Sequence, residues 1–380
     1  MDTIYKFIRI RTAIILFLFI WAPVLYSLTG TEGVGNPILD LGLGARPLGC
    51  GGAFVAVAND GNAGYWNPAG LSQLNDIYLT SMYTTLFLGT KFYYLSLSVP
   101  FDLQISKRSN DKAKEPGISL KKSSKLGSIS VLWVESFVSG LKNTKDAFDP
   151  ATGLPYTQYD NFTARDDAIL LAYGIRPVRW LAVGLNAKYT LRNLGINDAK
   201  GHSLGFDAGF MVTPIKRLNI AGLVQDVGNT PMYWHFIDEF DHPKNSKELI
   251  ISRLKAGMSY DFIDLFNLVV GADQSKTSQT NMAAGPEQST NKKVLSGKDL
   301  LNSLLLCLEV RWQMEKEARP TYHFGMEWAI YDMVFIRIGF DDVNFTAGIG
   351  FKSKVVALDY AYVTHPDLDN THRISLTARF

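Results

Sequence analysis

The sequence predicts an all-β fold, a transmembrane antiparallel β-barrel. Three observations predict it. Segments of alternating apolar and polar residues follow one another through nearly all of the chain after Asp76. Aromatic and aliphatic side chains load one side of that alternation, and the charges load the other. The segments are joined by connections of two distinct lengths. A period of two puts successive side chains on opposite faces of a strand. In a barrel that spans a membrane, those faces are lipid and lumen.

Composition agrees. The chain has 380 residues, 47% hydrophobic and 19% charged, a balance found in globular proteins. A barrel keeps that balance because only alternate residues meet lipid. An aromatic content of 12% and 32 glycines suit a β protein rich in tight turns. A formal net charge of +2 gives no basis for a nucleic-acid partner.

In chain order, residues 1–27 read as a secretory signal peptide. Lys6, Arg9 and Arg11 precede an apolar run from Ala13 to Leu25, with small residues near Ser27 and Gly30. The competing reading is a retained anchor, but the run falls short of the roughly 20 apolar residues a helical span needs. No later segment reaches that length unbroken. The expectation is an exported chain with no transmembrane helix. Two cysteines, Cys50 and Cys307, allow at most one disulfide and no disulfide framework. Leu48-Gly49-Cys50 faintly resembles a lipoprotein processing site. Pro47 and the lack of a preceding apolar run favour a small buried residue instead.

Residues 28–75 are glycine-rich and carry no long alternating segment. They end in Tyr65-Trp66-Asn67-Pro68-Ala69-Gly70-Leu71. Residues 76–380 read as strand after strand. Tyr93, Leu95, Leu97 and Val99 alternate with Tyr94, Ser96 and Ser98. Further alternating runs start at Ile129, Leu181, Leu204, Leu254, Leu306, Tyr322 and Val334. The pattern is cleanest in the last three runs. Phe345 to Phe351 oppose Thr346 to Lys352, Val356 to Tyr362 oppose Ala357 to Ala361, and Ile374, Leu376, Ala378 and Phe380 oppose Arg373, Ser375, Thr377 and Arg379.

The count is about 15, one away from the even number usual in single-chain bacterial barrels. The stretches around 76–99 and 266–314 are those whose division into strands the pattern leaves open. The tight connections are 177–180, 214–217, 263–266 and 331–333. The long polar ones are 102–125, 142–166, 228–248 and 276–298. Short turns on one rim and long loops on the other are expected of an outer-membrane barrel.

The charges orient the wall. Lys or Arg facing lipid at mid-bilayer costs roughly 2–4 kcal/mol. Lys188, Arg253, Lys255, Arg311, Arg337 and Arg373 are therefore expected to point inward. Asp207, Asp261, Glu309, Glu327, Asp341 and Asp359 share that face. Both signs are present, so the expected interior is a cross-linked polar network rather than an ion filter. A soluble β-sandwich with one wet face is the alternative, but sandwiches bury their aromatic face.

The run Gly44-Ala45-Arg46-Pro47-Leu48-Gly49-Cys50-Gly51-Gly52-Ala53-Phe54-Val55-Ala56-Val57-Ala58-Asn59-Asp60, followed by the segment Tyr65–Leu71, resembles the N-terminal signature of the PorV/PorQ family. That family lies within the FadL-like outer-membrane superfamily. Arg337-Ile338-Gly339-Phe340, the Thr346–Phe351 run, Asp359-Tyr360-Ala361-Tyr362 and Arg373–Phe380 are similar to the family's C-terminal part. The resemblance is dense at both ends and thin between about 100 and 300, where loops dominate. The family usually has Met where this chain has Cys50.

The resemblance implies about 14 strands (12–16) closed around a short N-terminal hatch, with Asn67, Pro68, Ala69 and Gly70 as its motif. Local chemistry agrees with a helical turn there, since Pro68 suits a first-turn position and Asn67 suits its cap. Trp66 and Leu71 would wedge the turn against the wall. The resemblance also implies an outer-membrane location and one of two roles. FadL-like barrels pass hydrophobic small molecules. PorV-like barrels serve type IX secretion by binding secreted cargo proteins. Phe380 resembles the terminal residue read by the barrel-assembly machinery, which makes that machinery and outer-membrane lipid the other implied partners.

Loop 228–248 carries Tyr233, Trp234, Phe236 and Phe240, a dense apolar cluster and a candidate contact site. The bland reading of it is a rim anchor. Lys107, Arg108, Lys112, Lys114, Lys121, Lys122 and Lys125 form a basic stretch best read as a solvated loop. The expectation for catalysis is negative, with no cofactor. His202, His235, His242, His323, His365 and His372 lack metal-ligand spacing. No nucleophile elbow, dinucleotide fingerprint or P-loop is present.

Overall fold

The computed structural model describes residues 37–101, 127–143, 161–238, 242–263, 303–315, 318–366 and 369–380. The expected signal peptide, the basic stretch 107–125 and Phe240 lie outside the described residues. Among the described residues, no helix is long and apolar enough to cross a membrane.

Among the described residues, sixteen strands form one antiparallel sheet. They are β1 (Tyr78–Thr85), β2 (Lys91–Phe101), β3 (Gly127–Lys142), β4 (Asn161–Val178), β5 (Leu181–Asn193), β6 (Lys200–Ile215), β7 (Leu218–Gln225), β8 (Thr230–Ile237), β9 (Pro243–Ile250), β10 (Arg253–Ile263), β11 (Ser303–Gln313), β12 (Thr321–Ile330), β13 (Val334–Asp341), β14 (Asn344–Lys352), β15 (Val356–Val363) and β16 (Thr371–Arg379). Each pairs with its sequence neighbour except around β8 and β9, and β1 pairs with β16 to close the ring.

Two staves are broken. The lower part of β6 pairs with β7, and its upper part, Lys200–Ser203, pairs with β8. β7 and β8 are thus one stave interrupted at 226–229, and β9 and β10 are the returning one. The closed barrel has 14 staves. The interruption has a local cause. Asp226, Gly228 and Asn229 all take positive φ, and Asn229 and Ser252 exchange hydrogen bonds of 3.0 and 2.9 Å across the gap. The segment 228–248, expected as a loop, is therefore mainly a β-hairpin that prolongs the wall. Its pattern is obscured by the exposed run Lys244–Lys247 on β9.

The expected division of connections between the rims does not hold. β1 begins and β16 ends on one rim, here the terminal rim. The tight links β4–β5, β6–β7 and β12–β13 lie there. So do the departure and return points of two long segments, since Phe101 pairs with Gly127 and Ile263 with Ser303. The expected tight turn 263–266 falls outside the described residues beyond Ile263, and β10 pairs directly with β11. Strand parity, not loop length, decides which rim a connection occupies, and parity depends on a correct count.

Outside, the wall is apolar. Leu185, Leu204, Phe206, Leu308, Ile349, Leu358, Ile374 and Phe380 are all exposed. A belt of such residues finds a favourable solvent in hydrocarbon. Aromatics mark its edges. On β12, exposed Tyr322 stands toward the far rim and Trp328 toward the terminal rim, about 20 Å apart along the strand at ~3.3 Å per residue. Inside, residues 37–75 fill the lumen as three short helices, α1 (Pro37–Asp40), α2 (Ala45–Gly49) and α3 (Ala63–Trp66), and a 3-10 turn, Pro68–Gln73.

Candidate functional site

The lumen wall has two kinds of inward position. Small residues sit where the hatch backbone presses against it. Gly174, Gly184 and Gly209 are directly opposed across β4, β5 and β6. A Cβ on Gly184 would lie 2.3 Å from the Ala69 nitrogen, and one on Gly174 would lie 2.1 Å from the Pro68 carbonyl oxygen. A second row crosses β10 to β14 as Ser259, Cys307, Gly325, Gly339 and Thr346. There, a Cβ on Gly325 would lie 2.3 Å from the Cys50 carbonyl oxygen. Cys50 and Cys307 are both buried free thiols. In the sequence these glycines look like ordinary members of the polar face. Their alignment across strands becomes visible only with the register.

Charged residues occupy the other inward positions. Arg46, on α2, donates two hydrogen bonds to Glu327 at 2.9 and 2.8 Å and one to Asp60 at 2.8 Å. Arg337 donates to the same Glu327 at 2.6 Å and to Asp359 at 2.7 Å. Glu309 accepts from the backbone N–H groups of Phe54 and Val55, both at 2.8 Å, and from Arg311 at 2.7 Å. Arg311 also donates to the Gly52 carbonyl at 2.6 Å. Lys188 bridges Asp207 at 2.7 Å and Asp226 at 2.8 Å. Arg253 pairs with Asp40 of α1 at 2.7 Å. The eight residues of the expected lumen network thus fall into separate clusters, three of which tie wall to hatch. The Lys188 cluster instead ties the wall to the break at 226. Asp40, Arg46 and Asp60, the hatch's own charges in these clusters, do not stand out in the sequence. They lie in a segment without periodicity, so no pattern marked them.

Asn67 is fully buried and uses its whole amide. Its oxygen accepts from the Ala69 N–H at 3.1 Å, which caps the Pro68 turn, and its nitrogen donates to the Val55 and Phe210 carbonyls at 2.9 and 3.1 Å. Leu71 packs on Gly174. Trp66 donates to the Leu43 carbonyl at 2.7 Å. Its ring lies 5.1 Å from the Lys255 ammonium and 5.5 Å from the Arg311 guanidinium, cation–π contacts strengthened by desolvation. Among the described residues, no three His, Cys, Asp or Glu side chains cluster as metal ligands.

Above the hatch, the tall staves form one side of the mouth. Trp234 and Phe236 share the inner face of β8, with Trp234 over Gly201, 5.4 Å from the Arg192 guanidinium and donating to Glu248 at 2.7 Å. Tyr233 points to the opposite, outer face, where its ring meets His202 at 5.8 Å. The strand alternation separates the residues grouped by the sequence into two surfaces.

A closed antiparallel sheet, an apolar belt outside and a polar, filled lumen define the class: a plugged β-barrel of the bacterial outer membrane. No protein-family model and no curated protein matches the chain. Among solved structures, it is similar to the Ralstonia pickettii toluene transporter TbuX at 11% identity, with a TM-score of 0.49 over 89% of this chain and 98% of that one. It is similar to the Pseudomonas putida toluene transporter TodX at 8% identity, with a TM-score of 0.49 over 92% and 98%. For a Pseudomonas aeruginosa FadL homologue the values are 10%, 0.43, 92% and 99%.

Proposed function

We propose that this barrel admits hydrophobic molecules through the outer membrane. One observation carries the reading: a hatch locked into the wall, beneath a mouth lined on one side by Trp234 and Phe236. A filled lumen does not suit bulk passage of water and ions. An aromatic inner wall at the entrance suits capture of an apolar solute. The test compares uptake of a labelled long-chain amphiphile by cells with the barrel, without it, and with Trp234→Ala. Faster uptake with the wild type and a reduced rate for the variant support the proposal. Equal uptake with and without the barrel removes it. The PorV/PorQ resemblance of the hatch signature supports a second role, binding of secreted cargo. That role predicts unchanged uptake and co-purification of an exported protein by its C-terminal signal.

A further inference from the structure

The outer surface of the tall staves holds a pocket of about 420 Å³ at the far rim. The registers of β4, β5 and β6 arrange its residues in rows. Nearest the rim, Arg165, Asn193 and Lys200 are opposed, and one row lower stand Asp167, Leu191 and His202. Below these, Ile169, Tyr189 and Leu204 begin the apolar belt, all of them exposed. Polarity thus falls over three rows from hydrogen-bonding groups to hydrocarbon, a span of roughly 13 Å at ~3.3 Å per residue. A membrane lipid at this depth has the same gradient, head toward the rim and chains toward mid-bilayer.

The polar rows narrow the headgroup. Arg165 lies 3.0 Å from Glu135 and 2.8 Å from Asp167, and Lys200 lies 2.6 Å from Asp198. Cations and carboxylates are therefore nearly balanced. A bare phosphate site favours cations without competing carboxylates. Donors and acceptors interleaved with an amide, an imidazole and a tyrosine suit hydroxyl groups. The break at 226–229 extends this surface, because β8 adds Tyr233 beside His202, and β9 places Lys247 5.9 Å from the Tyr233 ring centre.

We propose that this pocket binds the sugar headgroup of a membrane glycolipid, with its acyl chains lying on Ile169, Tyr189 and Leu204. The site is independent of transport through the lumen. The experiment is native mass spectrometry of detergent-purified barrel incubated with lipopolysaccharide or with phosphatidylethanolamine. The proteins are wild type, Asp167→Asn, Arg165→Gln and Tyr189→Leu, with Tyr322→Leu on a distant part of the belt as control. Heat-modifiable mobility selects the folded fraction. The expected result is glycolipid adducts on wild type and control, at least tenfold fewer on Asp167→Asn and Arg165→Gln, and little retention of phosphatidylethanolamine. Equal glycolipid retention by all variants overturns the proposal. So does equal retention of phosphatidylethanolamine by wild type, or loss of glycolipid from the control.

Discussion

Glu327 joins hatch to wall through the guanidinium of Arg46 on α2. It receives three charge-assisted hydrogen bonds, two from Arg46 of the hatch and one from Arg337 of β13. Glu327→Gln keeps the shape and removes the charge. Removing one member of a buried ion-pair network costs about 3–5 kcal/mol. Each arginine keeps a second carboxylate, Asp60 at 2.8 Å and Asp359 at 2.7 Å, so the lower end, about 3 kcal/mol, is the working value. The sheet ladder is untouched, and the loss falls on the hatch. Cys50 is the natural reporter, being on the hatch and 1% exposed. In a Cys307→Ser background its maleimide labelling tracks the population of hatch-open molecules when opening is fast relative to labelling. A loss of about 3 kcal/mol raises that population on the order of 10²-fold. The assay compares labelling rates in folded barrels that retain heat-modifiable mobility. An unchanged rate in Glu327→Gln refutes the view that this network holds the hatch.

Other perturbations test the packing. Gly184→Ala places a methyl 2.3 Å from backbone atoms of Pro68 and Ala69, so the hatch must shift, and Cys50 labelling should rise at least tenfold or the barrel should fail to assemble. Asn67→Ala removes three buried hydrogen bonds, two donated to the Val55 and Phe210 carbonyls and one accepted from the Ala69 N–H, each worth about 0.5–1.5 kcal/mol. Its unfolding midpoint in detergent should fall clearly, whereas Gln73→Ala, with bonds of 3.3–3.5 Å only, should change it little. Deleting Phe380 removes the reciprocal 3.0 Å backbone bonds with Ile77 and an exposed ring at the belt edge. The assembled fraction in outer membranes should drop while the molecules that do assemble take up amphiphile normally.

Much of the wall was legible because lipid and lumen impose a strict period of two. Lys188, Glu309 and Arg337 could be assigned to the lumen from their parity against Tyr189, Val310 and Ile338, and they are buried there. The broken staves were not legible, since the break at 226–229 rests on backbone conformation and on Ser252 reaching across to it. The glycine rows were hidden for a different reason. Gly174, Gly184 and Gly209 lie on three strands, and only the register brings them together under Asn67, Pro68 and Ala69. Within the hatch, a capped turn at Asn67–Pro68 could be read from local chemistry, whereas the pairing of Arg46 with Glu327 spans 281 positions in sequence.

The two halves of the hatch are held differently, and this decides where a path would open. Residues 45–75 press their backbone into glycine rows, where displacement costs packing along several strands. Residues 37–44 hang instead from side chains. Tyr65 donates to the Leu39 carbonyl, Trp66 to Leu43 at 2.7 Å and Arg373 to Leu41 at 2.6 Å, while Arg253 holds Asp40 at 2.7 Å. Arg253 and Arg373 both stand near the far-rim ends of their strands, so this segment lies toward the mouth. Releasing it requires few bonds to exchange for water, each worth about 0.5–3 kcal/mol, and exposes the buried side chains of Ile38, Leu39 and Leu43, whereas releasing 45–75 exposes many more. Opening should therefore begin at 37–44 and leave 45–75 in place. In the Cys307→Ser background, a cysteine at position 39 (Leu39→Cys) should label faster than Cys50, and Tyr65→Phe should accelerate it further without changing Cys50. If both positions label at one rate and respond together, the hatch moves as a single body and the path is not confined to its mouth-side segment.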